Sequence, residues 1–173
     1  PAKAPTAPSF GRLRPVSTAD EAEYLQAFDR LTDEARYMRF MSVVRTPDSK
    51  RLHAVLSSFP QGGVGFVATV PASDGFDIVG SAVSVFAEGL ESCEFAITVA
   101  SGYGGLGPGT ALMIALIDES RRRGVREMHG FVLAQNKAML GLAKRLDFRI
   151  DRDPEDAAVR LCRLTLNPAG MRT

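Results

Sequence analysis

Residues 94–110 read EFAITVASGYGGLGPGT: an apolar stretch of strand character runs into a turn with glycines at 104, 105, 107 and 109, and then into a helix. This layout suits an anion. Residues without a Cβ let successive backbone N–H groups turn toward a ligand, and the helix that follows adds the positive end of its dipole. Phosphate oxygens are the natural guests. The nucleotide-triphosphate loop G-x-x-x-x-G-K-[ST] is not met, because no lysine precedes Thr110 and Pro108 stands near its end. The dinucleotide fingerprint fits poorly as well, since the glycines fall at 105, 107 and 109 and the turn lies far from the first strand.

Working outward, the helix after Gly109 carries an apolar stripe at Leu112, Ile114, Ala115 and Leu116 and ends in basic residues before Gly124. A strand is expected from Arg126 to Ala134, a second amphipathic helix from Asn136 to Leu146, and closing strands at 148–150 and 158–166. Upstream, 63–70, 76–88 and 92–100 are rich in Val, Ile, Phe and Thr and are separated by turn clusters, which predicts a three-stranded antiparallel meander. Before them, 10–16 alternates weakly, and helices are expected over 19–32, 33–41 and from Pro47 to Ser57. Ser17 or Thr18 with Glu21 fits a capping box. The order is that of a mixed α/β domain without internal repeats. Residues 1–9, with three prolines and no periodicity, are expected to be a mobile tail, the single domain to span 10–166, and 167–173 to be a C-terminal tail.

The chain has 173 residues, 45% hydrophobic and 24% charged, an ordinary globular composition for one domain. A net charge of +1 offers no bulk electrostatic grip on nucleic acid or an anionic membrane, so neither is an expected partner. The longest apolar stretch, 111–117, is far shorter than a membrane span, and no charged-then-apolar leader opens the sequence, so a cytoplasmic protein is expected. Cys93 and Cys162 have no ligand-spaced neighbours and read as reduced core thiols; with only His53 and His129 in the chain, a metal site is not expected.

The segment VASGYGGLGPGTALM, 99–113, resembles the acyl-CoA pyrophosphate loop of the GNAT superfamily of N-acetyltransferases, whose pattern is Q/R-x-x-G-x-G/A after a strand. Three further features fall in register. LAQNKAMLGLAKRLDF, 133–148, is similar to that superfamily's second cofactor segment, a strand followed by an asparagine that opens a helix. RLRPVSTADEAEYLQAFDRLTDEARYMRFM, 12–41, resembles the opening of bacterial Pat-type protein-lysine acetyltransferase domains, and Glu94-Phe95-Ala96 matches where those domains place a glutamate on the fourth strand. The resemblance spans about residues 11–166. It implies a mostly antiparallel mixed sheet flanked by helices, with an acyl-CoA loop between the fourth strand and the next helix.

By the same resemblance, Gly104, Gly105, Gly107, Gly109 and Thr110, with the backbone of Leu106, would hold the pyrophosphate of acetyl-CoA. Ile97, Thr98 and Val99 would line the pantetheine arm along the strand, and Asn136 would meet it from the next helix. Glu94 would be the general base, because an ammonium must lose a proton before it attacks a thioester and a partly buried carboxylate can accept one. The implied reaction is metal-free acetyl transfer from acetyl-CoA to a primary amine, a protein lysine or a small molecule, by direct attack; a homodimer is compatible with this.

Three departures bear on that reading. Gly104 stands where Gln or Arg is usual, Ala143 stands where many members carry a thiolate-protonating tyrosine, and Asp147 replaces a glycine before Phe148. Tyr103 is the nearest alternative acid in the sequence. The first two departures motivate a second reading, an acyl-CoA-binding sensor or scaffold on the same fold. Six acids between Thr18 and Glu34 (Asp20, Glu21, Glu23, Asp29, Asp33, Glu34) against Arg30 alone suggest an acidic rim for a cationic acceptor.

Overall fold

The computed structural model describes residues 11–41, 47–100, 102–103 and 107–168. The expected tail over 1–9, and Gly104, Gly105 and Leu106 of the glycine-rich turn, lie outside the described residues. The elements run β1 (Arg12–Pro15), α1 (Glu21–Asp29), α2 (Asp33–Phe40), α3 (Ser49–Ser58), β2 (Gly63–Ala72), β3 (Gly75–Phe86), β4 (Ser92–Val99), α4 (Pro108–Arg122), β5 (Glu127–Leu133), α5 (Lys137–Arg145), β6 (Arg149–Arg152) and β7 (Val159–Thr165).

The strands form one seven-stranded sheet in the order β1-β2-β3-β4-β5-β7-β6. The predicted meander of β2, β3 and β4 is present, and β1 joins it antiparallel as an edge strand whose Pro15 needs no ladder donor. Among the described residues the one parallel pair is β4–β5, bridged by α4; β5, β7 and β6 are again antiparallel. Helix α4 packs on β2, β3 and β4. Its buried residues are Pro108, Leu112, Met113, Leu116, Ile117 and Ser120. Ile114, expected inward, is 45% exposed; two positions on from Leu112 is about 200° around a helix, so Met113 takes the inward place instead. Leu142 and Ala143 of α5 join this main core, together with Phe95, Met128, Val132 and Phe148. A smaller cluster on the other face joins Val16, Leu56, Val67 and Ile78 to Tyr24, Ala27 and Leu52 of α1 and α3.

Three local readings are corrected. Ser17 does cap, but its box partner is Asp20 rather than Glu21, because a 3-10 turn over Thr18–Asp20 precedes α1 and puts residue 20 at the third position. Asp20 is only 3% exposed, and its carboxylate accepts from both Arg14 guanidinium nitrogens at 2.7 and 3.0 Å and from the Ser17 N–H at 2.9 Å. The Arg14 hydrogen bonds hold its carboxyl below the usual range. Asp20 is therefore no part of an acidic rim. Lastly, Asn167 belongs to the fold rather than to a tail: its Nδ2 donates to the carbonyls of Arg121 and Val125 at 3.0 and 2.8 Å and so satisfies the end of α4.

Candidate active site

Strand β4 buries Cys93 and Phe95 against the α4 side, so alternation turns Glu94, Ala96 and Thr98 to the opposite face. Register places Val85 of β3 and His129 of β5 beside Glu94, and Ser81 of β3 beside Thr98. The parallel pairing of β4 with β5 covers only Ser92–Glu94 against Glu127–His129, whereas β4 stays paired with β3 as far as Val99. The two strands part just beyond Glu94. The edge of β4 from Phe95 to Val99 that faces β5 has no ladder partner among the described residues, and Ile97, Thr98 and Val99 all lie on this opened stretch. Phe95 helps to hold it open. Its ring stands edge-on to Phe148 with centroids 5.4 Å apart, and a Cβ added at Gly130 of β5 would come within 2.4 Å of it.

At the far end of the opening, α4 begins. Gly107 is its N-cap in a left-handed conformation, φ 95°, with no side-chain cap, and Pro108 takes the first helical position. Among the described residues, a Cβ at Gly107 would meet nothing within 4 Å. The first helical bond runs from the Ala111 N–H to the Gly107 carbonyl, which leaves the N–H groups of Gly109 and Thr110 at the positive end of a 15-residue helix. Gly109 is also the meeting point of three elements, since its Cβ position lies 3.5 Å from Val99 of β4 and 3.5 Å from Leu142 of α5.

Asn136 is the N-cap of α5, its Oδ1 accepting from the Met139 N–H at 3.2 Å. Its Nδ2 has no hydrogen-bond partner among the described residues. With Thr32, Glu34, Met38 and Lys137 it lines a cleft of about 400 Å³ between the starts of α2 and α5. Tyr103 packs against the main core, and Ala143 is fully buried, so the position of the usual tyrosine is here a core methyl. Glu94 is exposed, which corrects the expectation of a partly buried carboxylate.

Sequence reasoning missed what lies over the Glu94 face of the sheet. Tyr24 packs its ring in the smaller core, and burial pushes its pKa up against an opposing pull from Ser81. Helix α2 crosses β4 and β5 and brings Arg39 into the field of Tyr24, Arg51 and Glu94. No spacing rule singles out Arg39, because Arg36 one turn earlier has the same character. In the fold Arg36 is consumed by the carbonyls of Phe28 and Asp29, at 3.1 and 3.2 Å.

The run from β4 into α4 is where the resemblance places an acyl-CoA loop, and comparison with known proteins decides the family. The sequence model of the acetyltransferase (GNAT) domain matches residues 12–149. The chain belongs to the GNAT family of acetyltransferases. It is 34% identical over 156 residues to acetyltransferase PA5475 of Pseudomonas aeruginosa, covering 89% of this chain and 83% of that protein. Its fold is that of the GNAT domain of S. lividans PAT, with a TM-score of 0.80, 22% identity and 90% of each chain covered. It is also that of yncA from Salmonella typhimurium, a structure described with its cofactor acetyl-CoA, with a TM-score of 0.70, 20% identity, and 94% and 97% of the two chains covered. The GNAT fold thus accounts for the mixed, mostly antiparallel sheet flanked by helices.

Proposed function

We propose that this GNAT acetyltransferase moves an acetyl group from acetyl-CoA to a primary amine, with Glu94 taking the proton of the attacking ammonium. One observation carries the reading: the divergence of β4 from β5 begins at the Glu94–His129 pair and leads along unpaired β4 backbone to the N-terminus of α4. The residues fit the cofactor. The N–H groups of Gly109 and Thr110, with Gly107, would hold the pyrophosphate. The free edge of β4 at Ile97, Thr98 and Val99 would pair with the amide-bearing pantetheine arm as a missing strand would, and the Nδ2 of Asn136 would meet it from α5. When bound, acetyl-CoA supplies a thioester carbonyl open to attack and a thiol leaving group.

The protein's own part is placement and proton transfer. Glu94 at the mouth of the opening accepts the ammonium proton, directly or through water, since the carboxylate is exposed. With acetyl-CoA bound, an N–H of β4 near Val99 would be available to stabilise negative charge on the thioester oxygen. The test is thiol release from acetyl-CoA with a panel of amines. Glu94→Gln keeps the shape and removes the base, and is expected to lower kcat/KM by on the order of 100-fold or more with acetyl-CoA affinity unchanged. Cofactor binding without thiol release for any amine would instead support the sensor reading, to which the buried Ala143 lends its one structural argument.

A further inference from the structure

The last rung before β4 and β5 part is made of two residues that can each take a proton. Glu94 is in register with His129. Cys93 and Met128 of the rung before are both buried in the main core, so Glu94 and His129 project side by side from the other face, on strands spaced by about 4.8 Å. His129 is half-buried. Its ring stands edge-on to Phe131, two residues further along β5, with centroids 6.0 Å apart and planes at 85°, and so borders the opening between the strands. Glu94 and His129 do not satisfy each other: no hydrogen bond within 3.5 Å or ion pair within 4.0 Å joins them. The chain's other histidine is committed elsewhere, with Nδ1 of His53 on α3 lying 2.6 Å from the Glu21 carboxylate of α1.

Turning an ammonium into an amide takes two protons from one nitrogen, the first before it can attack a carbonyl and the second as the N–C bond forms. The acetyl transfer proposed above gives Glu94 the first and leaves the second unassigned. We propose that His129 takes it, so that the rung at the mouth of the opening holds one proton acceptor for each. This rests on the proposed acetyl transfer and adds a catalytic residue to it. An acceptor nitrogen seated over the rung has N–H donors for both groups. Glu94 receives one proton and frees the electron pair on nitrogen; that pair forms the N–C bond to the acetyl carbon while His129 receives the second proton, and the C–S bond breaks with its electron pair on sulfur. The proton on His129 then goes to the sulfur, directly or through water, and the proton on Glu94 goes to bulk water, which leaves an amide, a thiol and one released proton. Imidazole both accepts and donates near neutral pH, as this second task requires. Ala143, a buried methyl where the resemblance places an acid, cannot protonate the sulfur.

Because the chain has only two histidines, a His53→Gln background leaves His129 as the one imidazole. In that protein, modification of His129 by diethyl pyrocarbonate, located by mass spectrometry, is expected to slow at least about fivefold at saturating acetyl-CoA, a readout that needs no turnover. Thiol release with the best amine is expected to fall in step with the fraction of His129 modified. His129→Ala in the same background is expected to lower kcat/KM by on the order of 100-fold with the acetyl-CoA Kd unchanged, and added imidazole to restore at least about tenfold of it, which a structural role would not allow. If His129→Ala stays within about threefold of its parent, or loses activity that imidazole does not restore, His129 takes no proton and the assignment falls while acetyl transfer stands. Modification that acetyl-CoA does not slow, or full activity with His129 fully modified, overturns it equally, so the question stays answerable even if the alanine variant fails to fold. If no amine releases thiol with the wild-type protein, the proposed acetyl transfer falls and takes this assignment with it.

Discussion

Asp147 links α5 to β6 with φ 65°, a left-handed conformation in which a Cβ crowds the following carbonyl. Its N–H still donates to the Lys144 carbonyl at 3.2 Å, and its side chain is exposed, so nothing but the backbone defines the position. The resemblance marked this residue because glycine is usual there, and the structure supplies the reason. Asp147→Gly is therefore expected to stabilise the protein by about 1 kcal/mol, a rise in Tm of about 2–4 °C by calorimetry. An unchanged or lower Tm would mean that the aspartate makes a contact worth as much as the strain. Glu94 shows the opposite limit. Its residue type and position could be picked out on the strand, but alternation cannot say which face looks outward until α4 is seen to cover the Cys93–Phe95 side.

Among the elements, α5 joins an observed and a proposed task at one residue. Asn136 caps the helix through Oδ1, and in the proposed function its Nδ2 meets the pantetheine arm. Substitution separates the two. Asn136→Asp keeps the acceptor oxygen and is expected to leave stability within about 0.5 kcal/mol, whereas Asn136→Ala costs about 1 kcal/mol. Both lose the Nδ2 donor, so titration calorimetry is expected to show weaker acetyl-CoA binding in both by a similar factor; if only the alanine variant binds more weakly, Asn136 acts through the helix and not on the cofactor. Element types were legible because long apolar periodicities are intrinsic to each segment. The face each helix buries was legible only in part: Ile114 and Met113 of α4 are both apolar neighbours, and packing against β2, β3 and β4 chose Met113. The capping partner of Ser17 likewise depended on whether a 3-10 turn precedes α1.

At the scale of the whole molecule, the sheet is two antiparallel groups joined by a short parallel seam of three residue pairs. A ligand seated between β4 and β5 and against α4 and α5 would tie the two groups together and would bind only the folded chain. Acetyl-CoA at about 100 times its Kd is expected to add about 2.7 kcal/mol, a rise in Tm of about 5–11 °C for a chain of this size. Thermal denaturation followed by circular dichroism measures this, and the absence of any shift at millimolar acetyl-CoA would remove the cofactor from the proposed function. The proposed site draws on β3, β4, β5, α4 and α5, segments between 75 and 145 in the chain.

The local chemistry was already present in the sequence: the strand-to-glycine-turn-to-helix run of 94–110, the amphipathic helices, the asparagine that opens α5 and the awkward position at 147. These rest on backbone preference and periodicity, which act within a few residues of one another. Only the tertiary structure decided that β4 and β5 part at Glu94, that Asp20 is buried against Arg14 rather than lining a rim, and that Tyr24 and Arg39, from two helices, stand over the same face as Glu94. These depend on which surfaces lose water to one another when distant segments pack. No spacing along the chain records that exchange.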